Sequence, residues 1–277
     1  MPELPEVETI ARDLHARIPG RKIRAIWTSG FPLRMAKPID VEGLRKIADG
    51  RVVKAVRRTG KYLLIDLAGR ADSTPGVLVH LGMSGRLQVD AAEVPRAPHT
   101  HVVFALDDGS ELRFRDPRRF GWIAGADPID ASPELAGMGP DPLAALTHEE
   151  LARRLEGART PIKAFLLDQS RVAGLGNIYV CEALFRARIH PTTPAMRTVK
   201  RAPALFEAIV ETLTLGIENR GTTLRDYVDS FGTGGNNAQA LLVYGREGEP
   251  CRACEAPVRR RVDAGRSTFF CARCQKR

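Results

Sequence analysis

Along the first twenty residues, Val7, Ile10, Ala11, Leu14 and Ile18 recur three or four apart before Pro19-Gly20 ends the run. That spacing lays one apolar stripe along a helix starting near Glu6. From about 22 to 125 the period changes. RVVKAVRR (51–58), KYLLIDL (61–67), GVLVHLG (76–82), THVVFAL (100–106) and ELRFRD (111–116) are short and rich in β-branched residues. Thr-Gly, Gly and Asp-Asp-Gly turns break them up, which predicts an antiparallel sandwich or barrel. Glycine and proline thicken at Gly137-Met138-Gly139-Pro140-Asp141-Pro142, a candidate domain boundary. Beyond it, Leu143–Leu155, Ile162–Asp168, Asn177–Ala187 and Ala204–Glu218 return to helical spacing, and a glycine-rich stretch, FGTGGNN, follows at 231–237. The pattern is a mostly β first half and a helical second half, with no internal repeat.

Composition changes this picture in two places. With 43% hydrophobic and 27% charged residues over 277 positions, the chain can build more than one core. No apolar run is long enough to cross a bilayer, and the start lacks a signal-peptide pattern, so a cytoplasmic location without membrane partners is expected. The charge is less ordinary: 42 Lys and Arg against 33 Asp and Glu give +9 and a pI near 9.7. From Cys251 to the end, eight basic residues face only Glu255 and Asp263. Basic charge clustered in this way points to a polyanion such as nucleic acid. The same tail holds Cys251-x2-Cys254 and Cys271-x2-Cys274, sixteen residues apart. This is four-thiolate zinc spacing, and four sulfur ligands leave no position for water, so one structural Zn2+ is expected. Disulfides are the other reading, which a reducing cytosol disfavours. The fifth cysteine, Cys181, falls in a helical pattern and reads as a buried small hydrophobe.

Candidate chemistry sits at the chain start, MPELPEVE. If Met1 is removed, Pro2 offers a secondary amine with a pKa of roughly 8, partly neutral and nucleophilic near neutral pH. Attack on a sugar C1′ would expel the base and leave an iminium ion. That ion has no N–H proton to lose, so it stays cationic and acidifies C2′. Glu3 and Glu6 are candidates for proton transfer. A plainer reading makes Pro5 an early helical residue and the glutamates complements to the helix dipole.

MPELPEVE, GKYLLIDL, HLGMSG, DPRRFG, LLDQ…GLGNIY, VYGR and the CxxC…CxxC tail occur together and in this order, from end to end of the chain. In this the sequence resembles the bacterial formamidopyrimidine-DNA glycosylases of the formamidopyrimidine-DNA glycosylase/endonuclease VIII family. The resemblance implies an α+β fold of two domains. An N-terminal antiparallel β-sandwich with an N-terminal helix (1–136) would precede a helix–two-turns–helix domain (137–240), ending in a four-cysteine zinc-finger hairpin (241–277). It implies Pro2 as nucleophile, Glu3 as essential acid, Glu6 as a secondary acid, and Lys61 as a catalytic phosphate contact near the lesion. Met83, Arg118 and Phe120 match side chains that fill the gap left by a flipped nucleotide. His80, Lys163, Asn177 and Tyr244 match further positions on the DNA side. Arg266, between the cysteine pairs, matches a catalytic-site arginine on the phosphates that flank the lesion.

The implied activity is a base-excision-repair DNA glycosylase with apurinic/apyrimidinic lyase activity. It would act as a monomer on damaged double-stranded DNA in the bacterial cytoplasm, associated with the nucleoid when bound. Its substrates would be oxidised purines, chiefly 8-oxoguanine and formamidopyrimidines, and cleavage would proceed by β,δ-elimination. One departure stands out: SFGTGGNNAQALLVYGR aligns with the family's base-recognition loop, yet carries Asn236-Asn237 where an aromatic pair is expected. Two other readings stay open. An endonuclease VIII-like enzyme would prefer oxidised pyrimidines, and Leu4, MSG, RRF and GNIY point away from it. A non-catalytic zinc-finger DNA-binding protein fits the charge and cysteines equally well, but has no need of Pro2 and Glu3.

Overall fold

The computed structural model describes residues 1–33, 39–70 and 73–277, and no helix among them is long and apolar enough to cross a membrane. By contacts the chain forms two compact units, 1–136 with 219–236, and 137–218 with 237–277. The sequence division assigns 219–236 to the helical domain. In the structure this segment groups with the first unit, because Glu6 and Asp13 hold it by hydrogen bonds and an ion pair.

In the first unit, helix α1 (Leu4–His15) opens two residues earlier than its apolar stripe requires, with Pro5 in its first turn. Strand β1 (Ile23–Thr28) and helix α2 (Val41–Ala48) follow, the latter capped by Asp40, whose carboxylate accepts the Gly43 N–H. Seven more strands complete the unit: β2 (Val53–Thr59), β3 (Tyr62–Leu67), β4 (Gly76–His80), β5 (Arg86–Ala91), β6 (Thr100–Leu106), β7 (Ser110–Arg115) and β8 (Trp122–Ala126). They pair antiparallel in two four-stranded sheets, β1-β6-β7-β5 and β2-β3-β4-β8.

The inner faces share one core with α1 and α2, including Ile10, Leu14, Leu44, Leu63, Ile65, Phe104 and Phe114. Strands β3 and β4 are buried on both faces, which is why their sequences read as apolar runs and not as alternation. Their outer face, Leu64 and Leu78, packs beneath Ile129 and Leu135. The β2–β3 hairpin turns on Gly60 and Lys61, and Gly60 supplies the positive φ (+56°) such a two-residue loop needs.

The second unit is helical. Helix α3 (His148–Leu155) starts at a Thr147 cap, five residues later than the apolar spacing suggests. Helices α4 (Ile162–Leu167), α5 (Asn177–Arg186) and α6 (Ala202–Glu218) follow. The unit closes with a two-stranded hairpin, β9 (Arg259–Asp263) and β10 (Arg266–Phe270). A mixed α+β chain with an N-terminal helix and β-sandwich, a helical region and a four-cysteine terminal module is therefore present.

Candidate active site and nucleic-acid interface

One row of paired residues, Thr59–Tyr62–His80–Trp122, crosses the second sheet and marks one of its ends. Lys61 precedes Tyr62, Met83 follows His80, and Arg118 and Phe120 precede Trp122, so four predicted site residues leave the sheet on the same side. His80 stacks on Tyr62 at 4.9 Å, and its Nδ1 accepts the Gly82 N–H at 3.0 Å. Lys61 is buried, whereas Met83 is 39% exposed and Arg118 is exposed. The Arg118 guanidinium lies over the Phe120 ring, 4.8 Å from its centroid.

Helix α1 brings the chain start to this end of the unit. Arg58, at the close of β2, donates to Glu8 at 2.8 Å and to the hairpin carbonyl of Gly60 at 3.0 Å. Glu8 also binds Arg12, and these two guanidiniums hold its carboxyl below the usual range although burial alone would raise it. Pro2, Glu3 and Glu6 are all buried. The Glu6 carboxylate is divided between two backbone donors: Oε2 accepts the Glu3 N–H at 2.8 Å and Oε1 the Thr222 N–H at 2.7 Å. Gly221, at φ +85°, makes this approach possible, since a Cβ there would lie 2.9 Å from Glu6 Cγ. Glu6 thus pins Glu3 and the 219–236 segment to the same helix turn. Asp13 continues the attachment through Arg220 at 2.7 Å and Ser230 at 2.9 Å.

The second unit gathers another set of predicted residues around one carbonyl. Ser267 O accepts from Lys163 Nζ at 3.1 Å and from Asn177 Nδ2 at 2.9 Å. Lys163 also donates to Thr268 Oγ1 at 2.6 Å, and Thr268 in turn donates to Asp263 at 2.6 Å. Burial, reinforced by Arg266 and Arg261, pushes the Lys163 ammonium below its ordinary pKa against the pull of Cys181 and Asp263. Arg266, the next residue before Ser267, borders an open cleft of about 680 Å³ that Lys163, Asp168 and Val262 also line. Tyr244 stands on Phe269 at 4.9 Å, and its position is set by Glu182, whose carboxylate accepts the N–H groups of Leu242, Val243 and Tyr244. Arg58, Glu182 and Thr268 carry no chemical motif, so only their partners in the fold reveal them.

The four tail cysteines bring their sulfurs within 4.8 Å of one another. Cys251 and Cys274 lie 3.9 Å apart, and Cys254 and Cys271 lie 3.5 Å apart. A metal held tetrahedrally at ~2.3 Å from each sulfur requires separations of ~3.8 Å. The donor set therefore fits one closed, four-thiolate metal ion. Cys181 is buried beside this module in an apolar cluster with Cys251 and Cys271, as its helical pattern suggests.

The β-sandwich, the helical unit and the four-thiolate hairpin together match the architecture that the sequence resemblance implies for a DNA glycosylase. Family models confirm it along the chain: the formamidopyrimidine-DNA glycosylase N-terminal domain matches residues 1–123, its H2TH domain 138–228, and the zinc finger found in FPG and IleRS 248–277. A formamidopyrimidine-DNA glycosylase of Herpetosiphon aurantiacus is 45% identical over 280 residues, covering 99% of this chain and all of that protein. The MutM (Fpg) protein of Thermus thermophilus superposes with a TM-score of 0.85 at 40% identity, covering 99% of this chain and 98% of that one. A Lactococcus lactis FPG mutant in complex with Fapy-dG-containing DNA superposes at 0.89 with 32% identity over both whole chains. The chain belongs to the formamidopyrimidine-DNA glycosylase family.

Proposed function

We propose that this chain is a bifunctional DNA glycosylase and apurinic/apyrimidinic lyase that removes oxidised purines, 8-oxoguanine and formamidopyrimidines, from duplex DNA. The observation that carries the reading is the head of α1, where Pro2 and Glu3 are buried together and Glu6 holds the Glu3 backbone. Removal of Met1 frees the Pro2 nitrogen, which attacks C1′ of the damaged nucleotide. The C1′–base bond breaks with its electron pair leaving on the base, and the base takes up a proton. Glu3 protonates the ring oxygen as the sugar opens, giving a cationic iminium. Loss of the C2′ proton then drives departure of the 3′ phosphate, and a second elimination releases the 5′ phosphate. Because both Glu6 oxygens already accept backbone N–H groups, Glu6 serves this step by fixing Glu3 in place.

Lys61 and His80 contact phosphate near the lesion, and Met83, Arg118 and Phe120 enter the stack where the nucleotide has left. Met83 and Phe120 supply apolar bulk, while Arg118 hydrogen-bonds the orphaned base. Tyr244 and the α5 N-terminus at Asn177 bind DNA phosphate. Lys163 and Asn177 aim Arg266 by anchoring Ser267. One Zn2+ held by Cys251, Cys254, Cys271 and Cys274 stiffens the finger and takes no part in the chemistry, since sulfur fills all four positions. The enzyme works as a monomer in the bacterial cytoplasm.

The test is base release from otherwise identical duplexes that carry 8-oxoguanine, a formamidopyrimidine, thymine glycol or no lesion. Fast excision of both purine lesions, followed by strand cleavage, is expected. Preference for thymine glycol would establish the pyrimidine enzyme instead, and equal binding of all four without cleavage a pure DNA-binding protein.

A further inference from the structure

Met83 and the Arg118–Phe120 pair come from turns more than thirty residues apart, yet to enter one base step they must advance as one body. A single buried carboxylate joins the two turns. Asp116 is wholly inaccessible to solvent. Its Oδ1 accepts the Ser84 hydroxyl at 2.6 Å and the Arg118 N–H at 3.3 Å, and its Oδ2 accepts the Gly121 N–H at 2.6 Å. Ser84 adds a second link, accepting the same Arg118 N–H at 3.3 Å. Asp116 therefore brackets the Arg118–Phe120 turn at both ends and reaches Ser84, the neighbour of Met83.

Close packing reinforces these bonds. Gly82 sits at φ +60°, and a Cβ there would lie 2.4 Å from the Phe120 carbonyl carbon and 2.5 Å from the Gly121 nitrogen. A Cβ on Gly121 would lie 2.9 Å from both Asp116 Oδ2 and the His80 carbonyl oxygen. The Met83 turn is itself closed by the Gly85 N–H on Leu81 O at 2.8 Å. Backbone thus meets backbone at Gly82, and the Asp116 carboxylate and the Ser84 hydroxyl it accepts from are the polar groups that join the two turns among these contacts. Buried anions without hydrogen bonds are costly, so the donors and Asp116 fix one another's positions.

We infer that Asp116, through Ser84, is a positioning residue that locks Met83, Arg118 and Phe120 into a single wedge. This rests on the reading of those three side chains as the wedge. Asp116 touches no DNA and acts only through the turns it joins.

The experiment compares Asp116→Ala, Asp116→Asn and Ser84→Ala with Met83→Ala, Arg118→Ala and Phe120→Ala. The probe is a duplex with 8-oxoguanine flanked by 2-aminopurine, whose fluorescence reports unstacking beside the lesion. Borohydride trapping on a single strand with a preformed abasic site serves as the control, because it needs Pro2 and no wedge. The expected result is that Ser84→Ala and both Asp116 variants slow the unstacking phase at least tenfold while trapping on the single strand keeps its wild-type rate. Asp116→Asn should lie between wild type and Asp116→Ala, since an amide retains one acceptor. Ser84→Ala loses a single hydroxyl and reports on the link even if Asp116→Ala fails to fold. Unchanged unstacking in Ser84→Ala and Asp116→Asn, with the three wedge variants impaired, overturns the positioning role alone. Unchanged unstacking in the wedge variants overturns both this inference and the wedge reading beneath it.

Discussion

Glu8 shows how one side chain of α1 serves the hairpin opposite it. It pairs with Arg58, which is almost wholly buried, and with the exposed Arg12, and its carboxyl is held below the usual range. A depressed carboxyl contributes stability that is present above the unfolded-state pKa and is lost as pH falls through the folded-state value. Glu8→Gln should therefore flatten the acid limb of the stability curve. At neutral pH the loss should be about 1.5–3 kcal/mol, the range for hydrogen bonds to a charged group. Urea midpoints measured from pH 7 down to pH 3 check this, and an unchanged acid slope would contradict it. Gly221 gives a second residue-scale test. At φ +85°, with Tyr227 Cε1 2.7 Å and Glu6 Cγ 2.9 Å from a modest added Cβ, Gly221→Ala should cost about 1–3 kcal/mol. The Glu6–Thr222 bond should loosen with it, seen as faster amide exchange at Thr222. Neither residue was legible in the sequence, where Glu8 is one acid among three in MPELPEVE and Gly221 one of many glycines. The cysteine cluster was legible because its spacing alone encodes a ligand set, whereas the roles expected of Pro2 and Glu3 came from the resemblance of the whole chain.

At the scale of elements, apolar period separated sheet from helix, but the edges of the pattern were less readable. Strands β1, β5 and β8 and helix α2 escaped a reading by apolar runs. Exposed or half-buried positions such as Arg24, Trp27, Gln88 and Trp122 interrupt them, and their stability comes from neighbours already in the sheet. Ile18 continues the α1 stripe although the helix ends at His15; it is buried by its place in the core and not by helical form. The hairpin β9–β10 depends on α4 in a way no periodicity encodes, because Lys163 reaches its backbone from about a hundred residues away. Lys163→Met keeps the buried stem and removes both hydrogen bonds. Amide exchange across 259–270 should accelerate several-fold, while exchange in β3 and β4 stays unchanged. Equal protection in the variant would show that the finger holds itself in place.

For the whole molecule, the division into a sandwich unit and a helical unit follows from where apolar runs change period near 137. The return of 219–236 to the first unit does not, because it rests on Asp13, Arg220, Asp229 and Glu6 meeting across some two hundred residues. Asp229 and Asp13 are buried and share one guanidinium, which holds the segment along α1. The proposed zinc stabilises its finger in proportion to the metal affinity of a folded four-thiolate site. Cys251→Ser should weaken DNA binding at least tenfold and raise exchange in β9 and β10, leaving the sandwich core protected. The most direct test of the central claim is borohydride trapping on an 8-oxoguanine duplex, after mass spectrometry has verified that Met1 is absent, with the adduct mapped by peptide sequencing. The expected product is a single covalent enzyme–DNA species joined at the nitrogen of Pro2 and lost in Pro2→Gly, which should still bind DNA. An adduct at a lysine, or no adduct while the base is still released, would contradict the claim that the chain start is the nucleophile.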